Sequence, residues 1–196
     1  MKLSLVDIGK RFKFHWVFRH IDIEITSGQV LTLQGPNGSG KSTLLKILSG
    51  FLSPSQGKVV YIEYDKVLND FYHQVTYAAP YVDLIDQMTL REHLHFHSKF
   101  KTFKKNLSVE EVIQVLDLER AADKAIKDYS SGMRQRVRLG LAILSQANLC
   151  ILDEPSTNLD VRGFEWYQSL LLDFKLDTAI IIASNETKDF ISEDLS

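Results

Sequence analysis

A short loop of small residues, from Gly35 to Ser42, constrains this chain more than any other feature of its sequence. The loop reads G-P-N-G-S-G-K-S and fits the pattern G-x-x-x-x-G-K-[S/T]. The apolar run Val30–Leu33 before it predicts a short β-strand, and Ser42–Ser49 after it has apolar residues at helical spacing. A strand, a Gly-rich loop and a helix in this order predict a phosphate-binding loop in an α/β protein.

The residue types of this loop suit a nucleotide polyphosphate. Glycines let the backbone curl so that successive N–H groups face the β- and γ-phosphates. Lys41 adds a mobile positive charge, and Ser42 offers a hydroxyl to Mg²⁺. A Gly-rich turn without a ligand is the alternative interpretation. The predicted nucleotide-binding residues are Gly35, Pro36, Asn37, Gly38, Ser39, Gly40, Lys41, Ser42 and Thr43.

Two adjacent acids follow a second apolar run. Leu149–Leu152 predicts a buried strand, and Asp153 and Glu154 come at its end. We predict that Asp153 binds Mg²⁺ through water and that Glu154 polarises an attacking water. Alternatively, the two acids begin a solvated loop. Together with the phosphate loop, they predict a nucleoside triphosphatase.

A second turn with anion-binding character lies at Tyr129–Met133, which reads Y-S-S-G-M. It opens a predicted helix over Gly132–Leu144, and the first N–H groups of a helix are free to bind an anion. The alternative is that Ser130 only caps the helix.

The order of the predicted elements indicates the architecture. Strands are predicted before residue 80, helices between about 88 and 145, and strands again after 148. The predicted helices are Thr89–Phe100, Ser108–Leu116, Gly132–Leu144 and Val161–Phe174. We therefore expect an α/β fold with a mainly parallel sheet, an N-terminal antiparallel β part and an inserted α-helical subdomain.

The composition of the chain limits its cellular compartment and the kinds of partner that it can bind. The formal net charge of −2 gives no overall affinity for nucleic acid, and a single cysteine excludes a disulfide framework. No apolar run is long enough to cross a bilayer, so a separate chain would have to supply a membrane part. We expect a cytoplasmic protein.

The three motifs together resemble those of ATP-binding-cassette (ABC) ATPases. Tyr129–Met133 corresponds to the signature L-S-G-G-Q, and Asp153–Asp160 to the strand tip and the following D-loop. The resemblance runs from about Leu3 to Asn185. It implies one nucleotide-binding domain over 1–196, with 1–80 and 147–196 as the ATPase core and 81–146 as the helical signature subdomain.

The resemblance also implies how such a chain works. Two domains meet head to tail, and the signature turn of each caps the ATP held by the other. The residues that would do so here are Ser130, Ser131 and Gly132, with Asp160 in the D-loop. Phe12 stands at the position of the aromatic that stacks on adenine, with Trp16 as second choice. The implied cofactors are ATP and Mg²⁺.

The implied partners are a second nucleotide-binding domain, in a homodimer or a heterodimer, and a separate transmembrane permease. The helical sub-lobe around residues 80–100 would receive the permease. The chain would then be peripheral on the inner face of the membrane, and no nucleic acid is expected. The alternative function is a soluble, non-transport ABC ATPase related to DNA, ribosomes or iron–sulfur assembly.

The sequence departs from the family pattern at several positions. Ser131 and Met133 replace a glycine and the glutamine of the signature. Pro80 stands where the Q-loop glutamine is usual, with Gln87 the nearest candidate to replace it. Asn185 stands at the switch histidine and cannot become cationic, so it loses a charge-assisted contact. We therefore predict slow hydrolysis, with Glu154 and Asn185 as the catalytic residues.

Overall fold

The structure is a computed structural model that describes residues 1–63, 66–67, 71–186 and 189. The chain forms two compact units. The first comprises the described residues of Met1–Tyr77, Ala147–Glu154 and Lys175–Ser196, and the second comprises Ala78–Gln146 and Pro155–Phe174. The division predicted from the sequence keeps 155–174 with the ATPase core, whereas in the structure this segment belongs to the helical unit.

The regular elements agree in number and order with the expectation, apart from one short strand that was not predicted. In chain order they are β1 (Lys2–Phe12), β2 (His15–Thr26), β3 (Val30–Gln34), α1 (Lys41–Leu48), β4 (Gln56–Glu63), β5 (Lys66–Val67), β6 (Val75–Ala78), α2 (Leu90–Ser98), α3 (Val109–Val115), α4 (Ser131–Leu144), β7 (Leu149–Asp153), α5 (Val161–Phe174) and β8 (Ala179–Ser184). The unpredicted strand is the two-residue β5.

An antiparallel sheet of four strands, ordered β2-β1-β4-β5, forms one layer of the first unit. β1 and β2 form a long hairpin, with Lys2 opposite Thr26 at its open end and Phe12 opposite His15 beside the turn. Lys13 in the two-residue turn has a φ of 53°, in the left-handed region. The N-terminal antiparallel part is therefore confirmed, and its hairpin extends further than the apolar alternation predicts.

The second sheet has the strand order β3-β8-β7-β6. β8 pairs in parallel with both β3 and β7. Every residue of β7 and β8 is buried, as expected for parallel strands that are covered on both faces. The continuous apolar runs in the sequence predicted this burial, which confirms the parallel core.

Buried side chains from both sheets and from α1 form the core of the first unit. Leu3, Leu5 and Ile8 of β1 belong to the same cluster as Leu45 and Leu48 of α1. Leu149, Ile151 and Ile181 of the parallel sheet complete it. Leu45 and Leu48 are at helical spacing in α1, and Leu3 and Leu5 are at alternate positions in β1, so both periodicities can be recognised in the sequence.

The second unit is mainly helical. α2 and α3 each begin with a capping box, in which Thr89 pairs with Glu92 and Ser108 pairs with Glu111. α4 packs on α5, and the Trp166 indole of α5 donates a hydrogen bond to Val115 O at 2.7 Å. No helix in the described ranges is both long and apolar enough to cross a membrane.

Candidate functional site

Three parallel strands bring the predicted catalytic segments to one edge of a sheet. β8 lies between β3 and β7, with Ser184 opposite Gln34 and Ala183 opposite Asp153. The loop 35–40 follows β3, Glu154 follows β7 and Asn185 follows β8. Ligands of open α/β sheets bind at the carboxyl ends of strands, so this edge is the candidate site.

The phosphate loop has the backbone that its glycines allow. Gly38 and Gly40 have φ values of 84° and 98°, in the left-handed region. A Cβ atom at Gly40 would lie 2.7 Å from Cγ1 of Val17, so a side chain there would collide with the hairpin. Lys41, Ser42 and Thr43 form the first turn of α1, which contains no acidic residue. This helix start therefore suits an anion.

The Lys41 ammonium lies among oxygen atoms from three segments. Nζ donates to Gly35 O at 2.6 Å, to Pro36 O at 3.3 Å and to Asn185 Oδ1 at 2.6 Å. Oε1 of Glu154 lies 3.8 Å from the same nitrogen. The Lys41 side chain is only 9% exposed. One positive charge thus connects the phosphate loop with the ends of β7 and β8.

Glu154 is held in an uncommon backbone conformation for a residue with a side chain. Its φ is 48°, and its N–H donates to Ala183 O at 2.8 Å. Oε2 accepts from Ser184 Oγ at 3.2 Å and from the Asn185 N–H at 3.4 Å. Non-glycine residues in this region concentrate at functional sites, and these contacts fix the direction of the carboxylate.

Sequence reasoning missed a second carboxylate beside Glu154. The buried Asp189 is hydrogen-bonded to the Ser184 hydroxyl, which also contacts Glu154. A serine hydroxyl has a single proton to donate, so the two carboxylates compete for it. Ser184 follows the apolar residues Ala179–Ala183 as the polar last residue of β8, and this contrast was the signal that could have pointed to it.

Asn185 uses both ends of its amide. Its oxygen accepts from Lys41, and its Nδ2 donates to Asn37 Oδ1 at 2.6 Å. The residue therefore connects the end of β8 with two positions of the phosphate loop. The resemblance to the family put the switch residue at this position, and that role of Asn185 stays a prediction.

Asp153 and Ser42 have the chemistry of a magnesium site. Asp153 is 2% exposed at the end of β7, with the Tyr77 hydroxyl 3.4 Å from its Oδ2. α1, which carries Ser42, packs against β7. Carboxylate and hydroxyl oxygens suit Mg²⁺, which is usually held by one or two such groups together with phosphates. Among the described residues there is no group of three or more His, Cys, Asp or Glu that could hold a metal.

The predicted signature turn lies in the helical unit. Ser130 is the N-cap of α4, and its Oγ accepts from the Met133 N–H at 3.2 Å. Ser131 and Gly132 form the start of the helix, and no acidic residue lies in its first turn. The capping role considered as an alternative is thus present, and it leaves the remaining N–H groups of the first turn to a ligand.

The same unit places Asp160 near this turn. Its Oδ1 accepts from the Gly163 N–H at 2.7 Å, so Asp160 caps α5. A cleft of about 820 Å³ is lined by Ser130, Gly132 and Asp160, among others. A Cβ atom on Gly132 would lie 3.0 Å from Asn158 O, so the segments before α4 and α5 approach closely.

The two aromatic candidates for adenine lie beside the turn of the β1–β2 hairpin. Phe12 is half exposed, with the Lys10 ammonium 5.1 Å from its ring centroid. The guanidinium carbons of Arg11 and Arg19 lie 5.4 and 4.4 Å from the Trp16 ring. One cation thus lies beside the Phe12 ring and two lie beside the Trp16 ring, and the role of either ring toward adenine stays a prediction.

Pro80 and Gln87 both lie in the helical unit, before α2. Gln87 is exposed. The segment that contains them is held to α4, because Arg134 pairs with Asp86 at 2.6 Å and Arg138 donates to Val82 O at 2.7 Å.

Comparison with known proteins gives one family. The sequence model of the ABC transporter family matches residues 18–157. The chain is 29% identical over 190 residues to an uncharacterized ABC transporter ATP-binding protein, YxlF, of Bacillus subtilis, covering 95% of this chain and 63% of that protein. It is 30% identical over 188 residues to the zinc import ATP-binding protein ZnuC of Wigglesworthia glossinidia brevipalpis, covering 93% and 77%.

Solved structures agree on the fold. An ABC transporter ATP-binding protein from Pyrococcus furiosus superposes with a TM-score of 0.81 at 23% identity, covering 98% of this chain and 94% of that chain. The dimeric, post-hydrolysis ATP-binding cassette MJ0796 superposes with a TM-score of 0.78 at 21% identity, covering 94% and 88%.

The chain spans 63% and 54% of the lengths of the first two curated relatives that it matches. The family match nevertheless covers more than two thirds of the chain, including the phosphate loop, the predicted signature and the Asp153–Glu154 pair. Fold, motif order and sequence match lead to one conclusion: the chain belongs to the ABC transporter family, among its ATP-binding proteins.

Proposed function

We propose that this chain binds ATP with Mg²⁺ and hydrolyses it as the ATP-binding subunit of an ABC transporter. The observation that carries the proposal is the cluster at the carboxyl ends of β3, β7 and β8. There Lys41 lies within hydrogen-bonding distance of the phosphate loop and of Asn185, and 3.8 Å from Glu154. A polyphosphate cradle and a carboxylate beside it are the parts that hydrolysis of a terminal phosphate requires.

Each residue of the cluster has a defined role in this proposal. The N–H groups of the loop and Lys41 bind the β- and γ-phosphates. Ser42 and Asp153 hold Mg²⁺, which would neutralise charge on the phosphate oxygens. Glu154 orients the attacking water and accepts its proton, and its contacts with Ser184 and the Asn185 N–H keep the carboxylate directed.

Slow hydrolysis follows from the chemistry of Asn185. Its amide can donate to a γ-phosphate or accept from Lys41, but it carries no positive charge at any pH. Pro80 has no side-chain donor or acceptor for a water or a metal. Glu154 therefore acts with fewer helpers than the family pattern provides.

The signature turn supports a role for a second domain. Ser130, Ser131, Gly132 and Asp160 belong to a different unit from the phosphate loop, and the start of α4 suits an anion. In the proposal this turn contacts ATP held by a partner domain, so that ATP lies in the interface of a homodimer or heterodimer. The relative MJ0796 is dimeric with ADP and Pi, which supports this arrangement.

A separate permease completes the proposed assembly. Two relatives are named as import ATP-binding proteins, for zinc and for spermidine/putrescine. We place this chain on the inner face of a membrane, attached through its permease, and the permease would select the cargo.

The test compares wild type with Glu154→Gln and Lys41→Ala in the presence of Mg-ATP, with Glu24→Gln as the matched control. Glu24 is an exposed residue of β2 that pairs with Lys2. We expect slow ATP turnover by wild type and the control, and an ATP-dependent dimer of Glu154→Gln by light scattering. Lys41→Ala should bind no ATP. Unchanged turnover in Glu154→Gln would refute the assignment of this residue.

A further inference from the structure

The tip of the β1–β2 hairpin is a basic and aromatic surface, and the nucleotide site takes from it only the adenine candidates Phe12 and Trp16. Residues Ile8 to Ile21 contain the four cations Lys10, Arg11, Lys13 and Arg19 and no acidic residue. The whole chain carries −2, so the charge of +4 on residues 8–21 is balanced by −6 on the rest of the chain. The charge of the molecule is therefore strongly uneven, although its total is near zero.

Aromatic rings at the tip are exposed beside these charges. Phe14 in the turn is 90% exposed, and Phe12 next to it is half exposed. The two-residue turn is tight, with Lys13 in the left-handed region, so Phe14 stands at the outermost point of the hairpin. Contact with a partner would remove this apolar ring from water, which favours binding.

Among the four cations of the hairpin, the Lys10 ammonium donates a hydrogen bond to the neutral carbonyl oxygen of Ser53 at 2.8 Å, which leaves its charge without a counter-charge. Within the described ranges, no carboxylate lies within ion-pair distance of any of the four. The acids Asp7, Asp22 and Glu24 lie toward the open end, where Asp7 pairs with His20 and Glu24 with Lys2. Lys10, Arg11 and Arg19 instead lie over the rings of Phe12 and Trp16, so charge and aromatic surface are continuous.

We propose that this hairpin tip binds the surface of an anionic lipid bilayer. Lysine and arginine near a bilayer are attracted by anionic headgroups, and aromatic rings partition into the interfacial region. Phe14 would enter the headgroup layer while the four cations contact lipid phosphates. A tip that is two residues wide suits a flat charged surface better than a nucleic acid, which needs a longer basic track.

The proposal rests on the proposed function only in that a transporter subunit works beside a membrane. It adds a direct contact between this chain and lipid, independent of the permease. Phe12 remains the candidate for the base of ATP, and the lipid-binding residues of the test are Lys13 and Phe14, to which the nucleotide site assigns no role.

The experiment is co-sedimentation of the 196-residue chain with vesicles, without nucleotide. The vesicles are phosphatidylcholine alone or phosphatidylcholine with 30% phosphatidylglycerol. The test variant is Lys13→Glu/Phe14→Ser. The matched control is Lys99→Glu/Phe100→Ser, which makes the same two changes at an exposed Lys–Phe pair after α2, where Phe100 is 74% exposed.

We expect wild type and the control to bind the anionic vesicles, with the hairpin variant at least tenfold weaker. Binding should weaken as salt is added. Equal binding by the hairpin variant and the control would overturn the proposal, as would equal binding to neutral vesicles. Displacement of wild type from vesicles by single-stranded RNA at lower concentration would identify a nucleic-acid surface instead.

ATP binding, measured separately on both double variants, distinguishes this proposal from the proposed function. Unchanged ATP binding together with lost vesicle binding supports a lipid-binding tip. Loss of ATP binding in the hairpin variant alone would show that the tip serves the nucleotide, which overturns the lipid proposal. Absence of ATP binding in wild type would refute the proposed function and leave the vesicle result standing.

Discussion

His97 makes the stability of the helical unit sensitive to acid. Its Nε2 lies 2.7 Å from Ser145 Oγ, and its ring stacks on Phe103 with centroids 5.8 Å apart. Burial, followed by the nearby His93 and Lys101, lowers the pKa of His97 from 6.5 to about 4. The folded protein therefore resists the protonation that an unfolded chain accepts readily.

The size of the effect follows from the two pKa values. Above pH 6.5 His97 is neutral in both the folded and the unfolded protein, so its protonation does not change the free energy of unfolding. As the pH falls below 6.5 the unfolded state takes up a proton first, so the free energy of unfolding decreases until the folded pKa near 4 is passed. The full difference corresponds to about 3 kcal/mol, and about 2 kcal/mol of it is lost by pH 5. Partial solvent access to the ring reduces both figures.

The assay is urea unfolding between pH 7.5 and 5 in a Trp16→Phe background. Trp166 is then the sole tryptophan and lies in the same unit as His97. We compare His97→Gln with His95→Gln, a control at an exposed position of the same helix. Between pH 7.5 and 5, the free energy of unfolding of the parent and of the control should each decrease by up to about 2 kcal/mol more than that of His97→Gln.

Carboxylates with lowered pKa values, such as Asp123 beside Arg91, also favour unfolding in acid. They do so in every variant and cancel in the comparison. Parallel pH profiles for all three proteins would refute the argument.

Two further predictions concern the first unit. Gly57 has a φ of 77°, and a Cβ atom there would lie 2.3 Å from the carbonyl oxygens of Val6 and Asp7. Gly57→Ala should lower the free energy of unfolding by roughly 3 kcal/mol. Gly38 has a φ of 84° and open space where a Cβ atom would lie, so Gly38→Ala should lower the free energy of unfolding by only about 1 kcal/mol. Equal melting temperatures for the two variants would contradict this prediction. Asn185→His should raise kcat for ATP hydrolysis about tenfold, because histidine can supply a cationic partner for the γ-phosphate. If kcat does not rise in a steady-state assay, Asn185 is not the cause of slow turnover.

The sequence predicted best what depends on neighbouring residues. The phosphate loop with its following helix and the buried run of β7 are local patterns, and each formed the expected element. The extension of the hairpin to Phe12 and His15 was not predicted, because residues 10–20 mix basic and aromatic side chains without clean alternation.

Sequence patterns did not predict the contacts between residues that are far apart in the chain. Lys41 and Asn185 are 144 positions apart, and only the strand order of the sheet brings them together. The shared contact of Ser184 with Glu154 and Asp189 is a property of the same edge. The resemblance to the family implied that residues 155–174 belong to the ATPase core, whereas in the structure they belong to the helical unit, where α5 packs on α4.

The position of β8 has a consequence for how the protein is made. This strand is the last of the parallel sheet to leave the ribosome, yet it lies between β3 and β7. Until residue 184 is available, β3 and β7 lack the neighbour that both require, and their apolar side chains remain exposed to aggregation. Because pairing of β3 with β8 joins residues 150 positions apart, the loss of chain entropy before this contact is large. The nucleotide site can therefore form only after β8 has been synthesised.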